Sequence, residues 1–478
     1  MSSSQSTSPA GGADRLSARA WGALLVLCGA LFLDALDVSM IGVALPSIRA
    51  DLDLSTSSLQ WVVSAYVLGY GGFLLLGGRA ADLLGRRRMF LISLGVFVVA
   101  SALGGLADDG ALLIATRFVK GVSAAFTAPA GLSIITTTFA EGPARNRALS
   151  IYTATGATGF SLGLLFGGAL TELGWRWVFF LPVPVALITL LAAIRLVPTG
   201  ERSAPQRRSF DVAGAITVTA AMLLLVFTLV EAPDEGWGSP RTLASFALAG
   251  ALLATFVGIE RRTAAPLVRL GILRSGSLVR ANLGAMSLIG GWFGFQFMLT
   301  LYLQQARGWS SIETGLAIFP AGFLVAVLAP RVAPLIARFG VTRLIVVGLA
   351  STAVGYGLFL PIGLDSGYVT AMLPTFLLGG LGFGLAYGPL NVAATNGIAP
   401  EEQGLAGGLL NTSFQFGGAL VLAIVTAVFN ATAGSDASAQ GLLDGFHAAL
   451  LVSLTAAVLG VIAMSWPVRA REPAIEAA

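Results

Sequence analysis

Gly78-Arg79-Ala80-Ala81-Asp82-Leu83-Leu84-Gly85-Arg86-Arg87-Arg88 is a short polar bridge between two apolar runs, near 60–78 and 89–107. A helix needs about 20 apolar residues to cross a bilayer, and each run supplies them. The glycines permit a tight turn between helix ends. The arginines mark the bridge as a cytoplasmic loop, where basic residues accumulate. Two membrane spans joined by a basic turn set the pattern for the whole chain.

Further apolar runs lie on both sides of this pair. One precedes it, from Trp21 to about Leu45, and four follow near 111–136, 148–170, 177–194 and 212–230. Seven more are found near 243–259, 281–303, 314–330, 344–361, 368–398, 404–430 and 446–466. The expected architecture is an all-α polytopic membrane protein with 14 transmembrane helices. Composition agrees: 56% of the 478 residues are hydrophobic and 11% are charged, with a mean hydropathy of +0.84. A soluble domain carries about 25% charged residues, so this chain could not present an ordinary wetted surface. The first run ends in Pro46 without a cleavage site and is read as a retained span, not a signal peptide.

The same composition removes several classes of chemistry. His447 is the only histidine and Cys28 the only cysteine. Histidine-rich metal sites, zinc ribbons, disulfides and Cys-His nucleophile pairs are therefore not expected, and neither a metal nor a cofactor is called for. Lys120 is the only lysine and is followed by Gly121 and Val122, so a phosphate-binding G-x-x-x-x-G-K-[ST] loop is absent. The net charge of +4 suggests nucleic-acid binding only until the basic residues are mapped. With the N-terminus inside, cytoplasmic segments hold 22 of the 28 Lys and Arg. The opposite loops hold Arg49, Arg176, Arg241 and Arg307. The basic balance reflects membrane orientation, with both termini cytoplasmic in the cell membrane.

The halves read as degenerate copies. Ala337-Arg338-Phe339-Gly340-Val341-Thr342-Arg343 echoes the opening stretch, with Gly340 lying 255 residues after Gly85. Pro129 and Glu141 match Pro389 and Glu401, each offset by 260. Setting aside the two spans between 212 and 259 leaves six on each side, a 6 + 2 + 6 plan. The expected division is a tail at 1–20, a six-helix bundle at 21–197, a linker with two extra helices at 198–264, a second bundle at 265–468 and a tail at 469–478.

Over 21–468 the chain resembles the major facilitator superfamily, specifically its fourteen-span drug/proton antiporter branch. Gly78-x-x-x-Asp82-x-x-Gly85-Arg86-Arg87 resembles the superfamily's loop motif between spans two and three, which implies a cytoplasmic gate. Leu33-Asp34-Ala-Leu-Asp37-Val-Ser39-Met-Ile41-Gly42-Val-Ala44-Leu45-Pro46 is similar to the branch's span-one motif. Gly42 stands there where Asn is frequent, and Asp34 is additional to the pattern. Arg117-Phe-Val-Lys120-Gly121 resembles a span-four motif whose Arg takes part in proton transfer, with Lys120 replacing the commoner Gln. Gly159-x-x-x-Gly163-Leu164-x-x-Gly167-Gly168 resembles the antiporter motif of span five, with Leu164 in place of Pro. The run Gly404 to Gly418 is similar to span thirteen of the branch, with Phe414 where Arg is frequent.

Four ionisable residues fall well inside predicted spans: Asp34, Asp37, Arg117 and Lys120. Each costs about 2.5–3.5 kcal/mol at a helix centre, so pairing is expected. Both pairs are spaced i, i+3 and each shares one helix face. At about 1.5 Å per residue they come out at similar depths on spans one and four. Asp37 is expected to be the main proton-binding carboxylate and Asp34 an auxiliary or substrate-facing acid. The alternative is a static four-charge network. Tyr66, Tyr70, Trp292, Gln296, Asn411 and Gln415 are candidate cavity residues, with helix packing as the alternative for each.

The expected function is proton-coupled export of small lipophilic or amphipathic compounds by alternating access, as in drug or antibiotic efflux. The expected partners are a small-molecule substrate, protons and the lipid bilayer. The residues leave open a proton symporter or uniporter on the same fold, and a membrane ligand sensor. Enzyme activity is not expected, and oligomeric state is not encoded legibly.

Overall fold

The computed structural model describes residues 18–139, 143–198, 211–263, 269–398, 402–433 and 438–466. The first half contains α1 (Ala18–Leu52), α2 (Thr56–Leu84), α3 (Arg86–Gly105), α4 (Gly110–Thr138) and α5 (Pro143–Leu173), then the short α6 (Trp177–Phe180) and α7 (Pro182–Leu196). A hairpin of α8 (Val212–Glu235) and α9 (Pro240–Glu260) follows. The second half contains α10 (Gly276–Leu301), α11 (Ser311–Leu328), α12 (Val332–Phe339), α13 (Val341–Phe359), α14 (Leu373–Thr395), α15 (Gln403–Ala433) and α16 (Ala439–Ser465).

Local chemistry accounts for the helix ends. Asp109 and Ser239 cap α4 and α9 by accepting from the backbone N–H groups of Leu112 and Thr242. Ser310 and Glu313 form a reciprocal capping box at the start of α11. Gly85 and Gly340, matched in the sequence repeat, end α2 and α12 at φ +98° and +84°, a region that side chains disfavour. The other matched pair, Pro129 and Pro389, lies inside α4 and α14.

Among the described residues, 13 helices are long and apolar enough to cross a membrane, with α11 and α12 joined in one stretch, Ser311–Phe339. The remaining long helix is α2, with 29 residues. Apolar side chains such as Leu173, Ile188, Ile216 and Leu248 point outward, as a lipid environment allows.

In lipid, helix association depends on close packing rather than on hydrophobic transfer. The α2–α4 crossing shows how. A Cβ on Gly121 would lie 2.0 Å from the Tyr66 carbonyl oxygen, and one on Gly77 2.1 Å from that of Ala125. These approaches bring Tyr66 against Arg117. Elsewhere in the first half α1 packs on α5, and α3 on α4 and α7; in the second half α10 packs on α15 and α16, and α13 on α14. The halves meet where α5 contacts α11, α2 contacts α15 and α1 contacts α10. The glycines of α14 serve close packing: a Cβ on Gly380 would lie 2.4 Å from the Ala321 carbonyl oxygen.

Trp175 and Trp177, around the start of α6, sit in different surroundings. Trp177 is exposed, whereas Trp175 is buried and its indole N–H donates to Asp51 at 2.9 Å. A hydrogen bond to a carboxylate, more than interfacial partitioning, positions that ring.

Candidate functional site

The four intramembrane charges converge where α1 passes α4, but they do not divide into two matched pairs. Arg117 Nη1 donates to Asp37 Oδ2 at 2.5 Å, and Lys120 Nζ donates to Asp37 Oδ1. All three side chains are buried, with at most 1% of their surface exposed. Arg117 Nε also donates to the Val62 carbonyl at 3.0 Å. The Lys120 ammonium faces the rings of Phe97 and Phe179, 4.7 and 5.2 Å from their centroids.

Asp34, one helical turn away, accepts from the Tyr66 hydroxyl at 2.5 Å. The Arg117 guanidinium lies over the same tyrosine ring at 4.8 Å, and Tyr70 packs edge-on against it at 5.9 Å. Tyr66 therefore bridges the half-buried acid and the buried triad. Asp34 also lines a small cavity with room for about one water, together with Leu94, Phe97, Ser123, Thr127 and Tyr152.

None of the six candidate cavity residues lines this space. Three of them follow the seam between halves. Gln296 faces Gly42, Gln415 faces Gly71, and Trp292 packs on Phe160 of α5 at 6.2 Å. Tyr66 is buried against Asp34 with Tyr70 beside it, and the Asn411 amide donates to Gly407 in its own helix.

The glycine motif of α5 splits by partner. Cβ atoms on Gly159, Gly163 and Gly167 would meet the backbone of α1 at 2.6, 2.6 and 2.8 Å. One on Gly168 would meet the Ser311 carbonyl oxygen, in the other half, at 2.7 Å. In the loop motif, Gly78 faces Pro129, Gly85 makes the turn, Arg86 begins α3, and Arg87 donates to the Ile194 carbonyl at 2.5 Å. The Asp82 side chain lies outside the described residues.

Residues 27–422 match the Major Facilitator Superfamily. The chain belongs to that superfamily. The cephamycin export protein CmcT of Amycolatopsis lactamdurans is 40% identical over 91% of both chains. The puromycin resistance protein pur8 of Streptomyces alboniger is 37% identical over 94% of this chain and 91% of its own. The lincomycin resistance protein of Streptomyces lincolnensis is 34% identical over 93% and 91%. Among solved structures, the human organic anion transporter MFSD10 aligns with a TM-score of 0.64 at 17% identity, covering 94% of this chain and 100% of its own. An inward-facing bacterial homologue of the human lysosomal transporter Spinster aligns with a TM-score of 0.63 at 17% identity, covering 94% and 98%. These two alignments speak to the fold.

This major facilitator is thus a multi-pass, membrane-embedded transporter of small molecules. One end of its seam is closed. Arg49 donates to Gln305 at 3.2 Å, Gln304 donates to the Val43 carbonyl at 2.9 Å, and the Ile312 N–H donates to Glu172 at 3.4 Å. Sequence reasoning missed two features. Glu231, just past the predicted end of its span, accepts from the Trp61 indole N–H at 2.8 Å and ties α8 to α2. Phe383, Tyr387 and Phe414 stack in series, with centroids 5.2 and 5.0 Å apart. Glu231 had a weak signal, an acid beside an apolar run. The stack had none, because its members come from two helices.

Proposed function

We propose that this major facilitator is a proton-coupled exporter of small lipophilic or amphipathic compounds, working by alternating access. The observation that carries the reading is the buried Asp37 held between Arg117 and Lys120. Removing one partner from a buried ion pair costs about 3–5 kcal/mol, so proton gain or loss there is strongly felt by the surrounding helices. Asp37 is the carboxylate that organises the proton site, and Asp34 is the auxiliary acid facing the cavity. Relatives named for cephamycin export and for puromycin and lincomycin resistance support outward transport of antibiotics.

In this reading α2 is the fourteenth span, giving the 6 + 2 + 6 plan with α8 and α9 as the extra pair. Both termini are cytoplasmic, which makes the closed end extracellular. The Gly78–Arg87 loop motif forms the opposite gate, and the Gly159–Gly168 motif lets α5 slide between α1 and α11. Tyr70, Trp292, Gln296, Asn411 and Gln415 contact substrate as the seam opens.

The test is uptake of puromycin and ethidium by inverted vesicles, with and without an uncoupler. Uncoupler-sensitive uptake by the wild-type chain, lost in Asp37→Asn while the purified variant stays folded, is the expected outcome. Uptake indifferent to the uncoupler would overturn proton coupling.

A further inference from the structure

Asp37 is one carboxylate shared by two cations. Its two oxygens are taken separately, Oδ1 by Lys120 Nζ and Oδ2 by Arg117 Nη1, and the three side chains are sealed from solvent. The triad therefore carries one positive charge more than its carboxylate balances, in surroundings where unbalanced charge is costly. Arg117 cannot relieve the excess, because a guanidinium keeps its proton in proteins. A lysine ammonium can, since it releases its proton when its surroundings cease to favour charge.

The groups around Nζ fit that role. From α1, Asp37 is in contact and Asp34 lies one turn away, held by the Tyr66 hydroxyl of α2. On α4, Arg117 is the neighbouring like charge. From α3 and α6 the facing groups are the rings of Phe97 and Phe179, which attract a cation but accept no ordinary hydrogen bond. The ammonium thus depends on Asp37, a residue of a different helix.

Resting on the proton-coupled reading above, we propose that the proton exchanged during transport is carried by Lys120 Nζ, with Asp37 as the counter-charge that retains it in one conformation. Movement of α1 against α4 lengthens the contact. The ammonium then passes one H⁺ to water on the open side and keeps its lone pair, leaving a neutral amine beside a balanced Asp37–Arg117 pair. In the opposite conformation the amine takes up one H⁺ from the other side. Because the shared proton belongs to the Lys120–Asp37 pair, Asp37→Asn also disables the cycle.

Lys120 is the only lysine in the chain, which makes the test direct. In the full-length protein labelled with ¹³C,¹⁵N-lysine, one side-chain signal reports this amine. Raising the pH across the range in which the protein transports is expected to convert that signal from the ammonium to the amine form. A signal that stays ammonium throughout overturns the proposal. In proteoliposomes, Lys120→Arg keeps the charge but cannot release it. It should abolish uncoupler-sensitive accumulation of ethidium, while the purified variant keeps its helical circular dichroism. Full uncoupler-sensitive accumulation by Lys120→Arg also overturns the proposal. Wild-type vesicles without proton-driven uptake would instead sink the proton-coupled reading, whatever the lysine signal does.

Discussion

The side-chain amide of Gln296 on α10 fills the space that Gly42 leaves open on α1. A Cβ built on Gly42 would lie 2.7 Å from Gln296 Nε2. In the related span-one motif this position is frequently Asn, so the amide at this point of the seam comes here from the opposite half. Gly42→Asn should overpack the crossing and lower stability by about 1–3 kcal/mol. Gln296→Ser should recover most of that loss in the double variant. Thermal unfolding of the four purified proteins checks it, and strictly additive losses would show that the two positions do not share the space.

The two aspartates should respond very differently to neutralisation. Asp37→Asn leaves two buried cations without their carboxylate and should cost about 3–5 kcal/mol. Asp34→Asn keeps an acceptor for the Tyr66 hydroxyl, and Tyr66→Phe removes one hydrogen bond to a charged group, worth about 1.5–3 kcal/mol. Unfolding midpoints should therefore fall furthest for Asp37→Asn. Equal losses for Asp34→Asn and Asp37→Asn would contradict the unequal pairing.

Two alanines placed five residues apart on α5 should have distinct effects. Gly163→Ala puts a methyl group 1.9 Å from Ser39 Oγ and 2.6 Å from the Leu36 carbonyl oxygen, within one half, and should mainly destabilise the fold. Gly168→Ala pushes on Ser311 and Ile312 in the other half and should loosen the closed end of the seam. A cysteine at Gln304, beside the Val43 carbonyl, reads this out by maleimide labelling, because the native Cys28 is buried. Labelling should rise several-fold with Gly168→Ala and stay unchanged with Gly163→Ala.

Helix α8 touches both α2 and α15, and the Trp61–Glu231 hydrogen bond secures it to the first half. Glu231→Ala leaves the indole N–H unpaired and should lower stability by about 1–3 kcal/mol. Glu231→Gln keeps a carbonyl acceptor and should lose less. A midpoint in Glu231→Ala equal to that of the wild type would show that α8 is held by its apolar packing alone.

Much of the fold was legible in the sequence because its signals are local. Apolar run length gave the long helices, including the position of α2, and the glycines that turn the chain at 85 and 340 were marked by their repeat. The site was legible in membership only. Asp34, Asp37, Arg117 and Lys120 stand out as charges within apolar runs. Their partners do not, because i, i+3 spacing puts both acids on one face without fixing which one turns toward α4. The cavity candidates were polar and aromatic residues of the right type. Several follow the seam, yet the cavity beside Asp34 is lined mainly by residues such as Leu94, Ser123 and Thr127, whose types carry no such signal.

What the sequence determined by itself is the medium of this protein and the cost of its intramembrane charges. Both follow from composition and length along one chain. Only the tertiary structure decided that Asp37 takes both cations and that Asp34 takes Tyr66. Helix rotation made that choice, fixed by contacts such as Gly121 against the Tyr66 carbonyl and Gly163 against that of Leu36. Such contacts depend on surfaces of two helices at once, and no single stretch of sequence contains them.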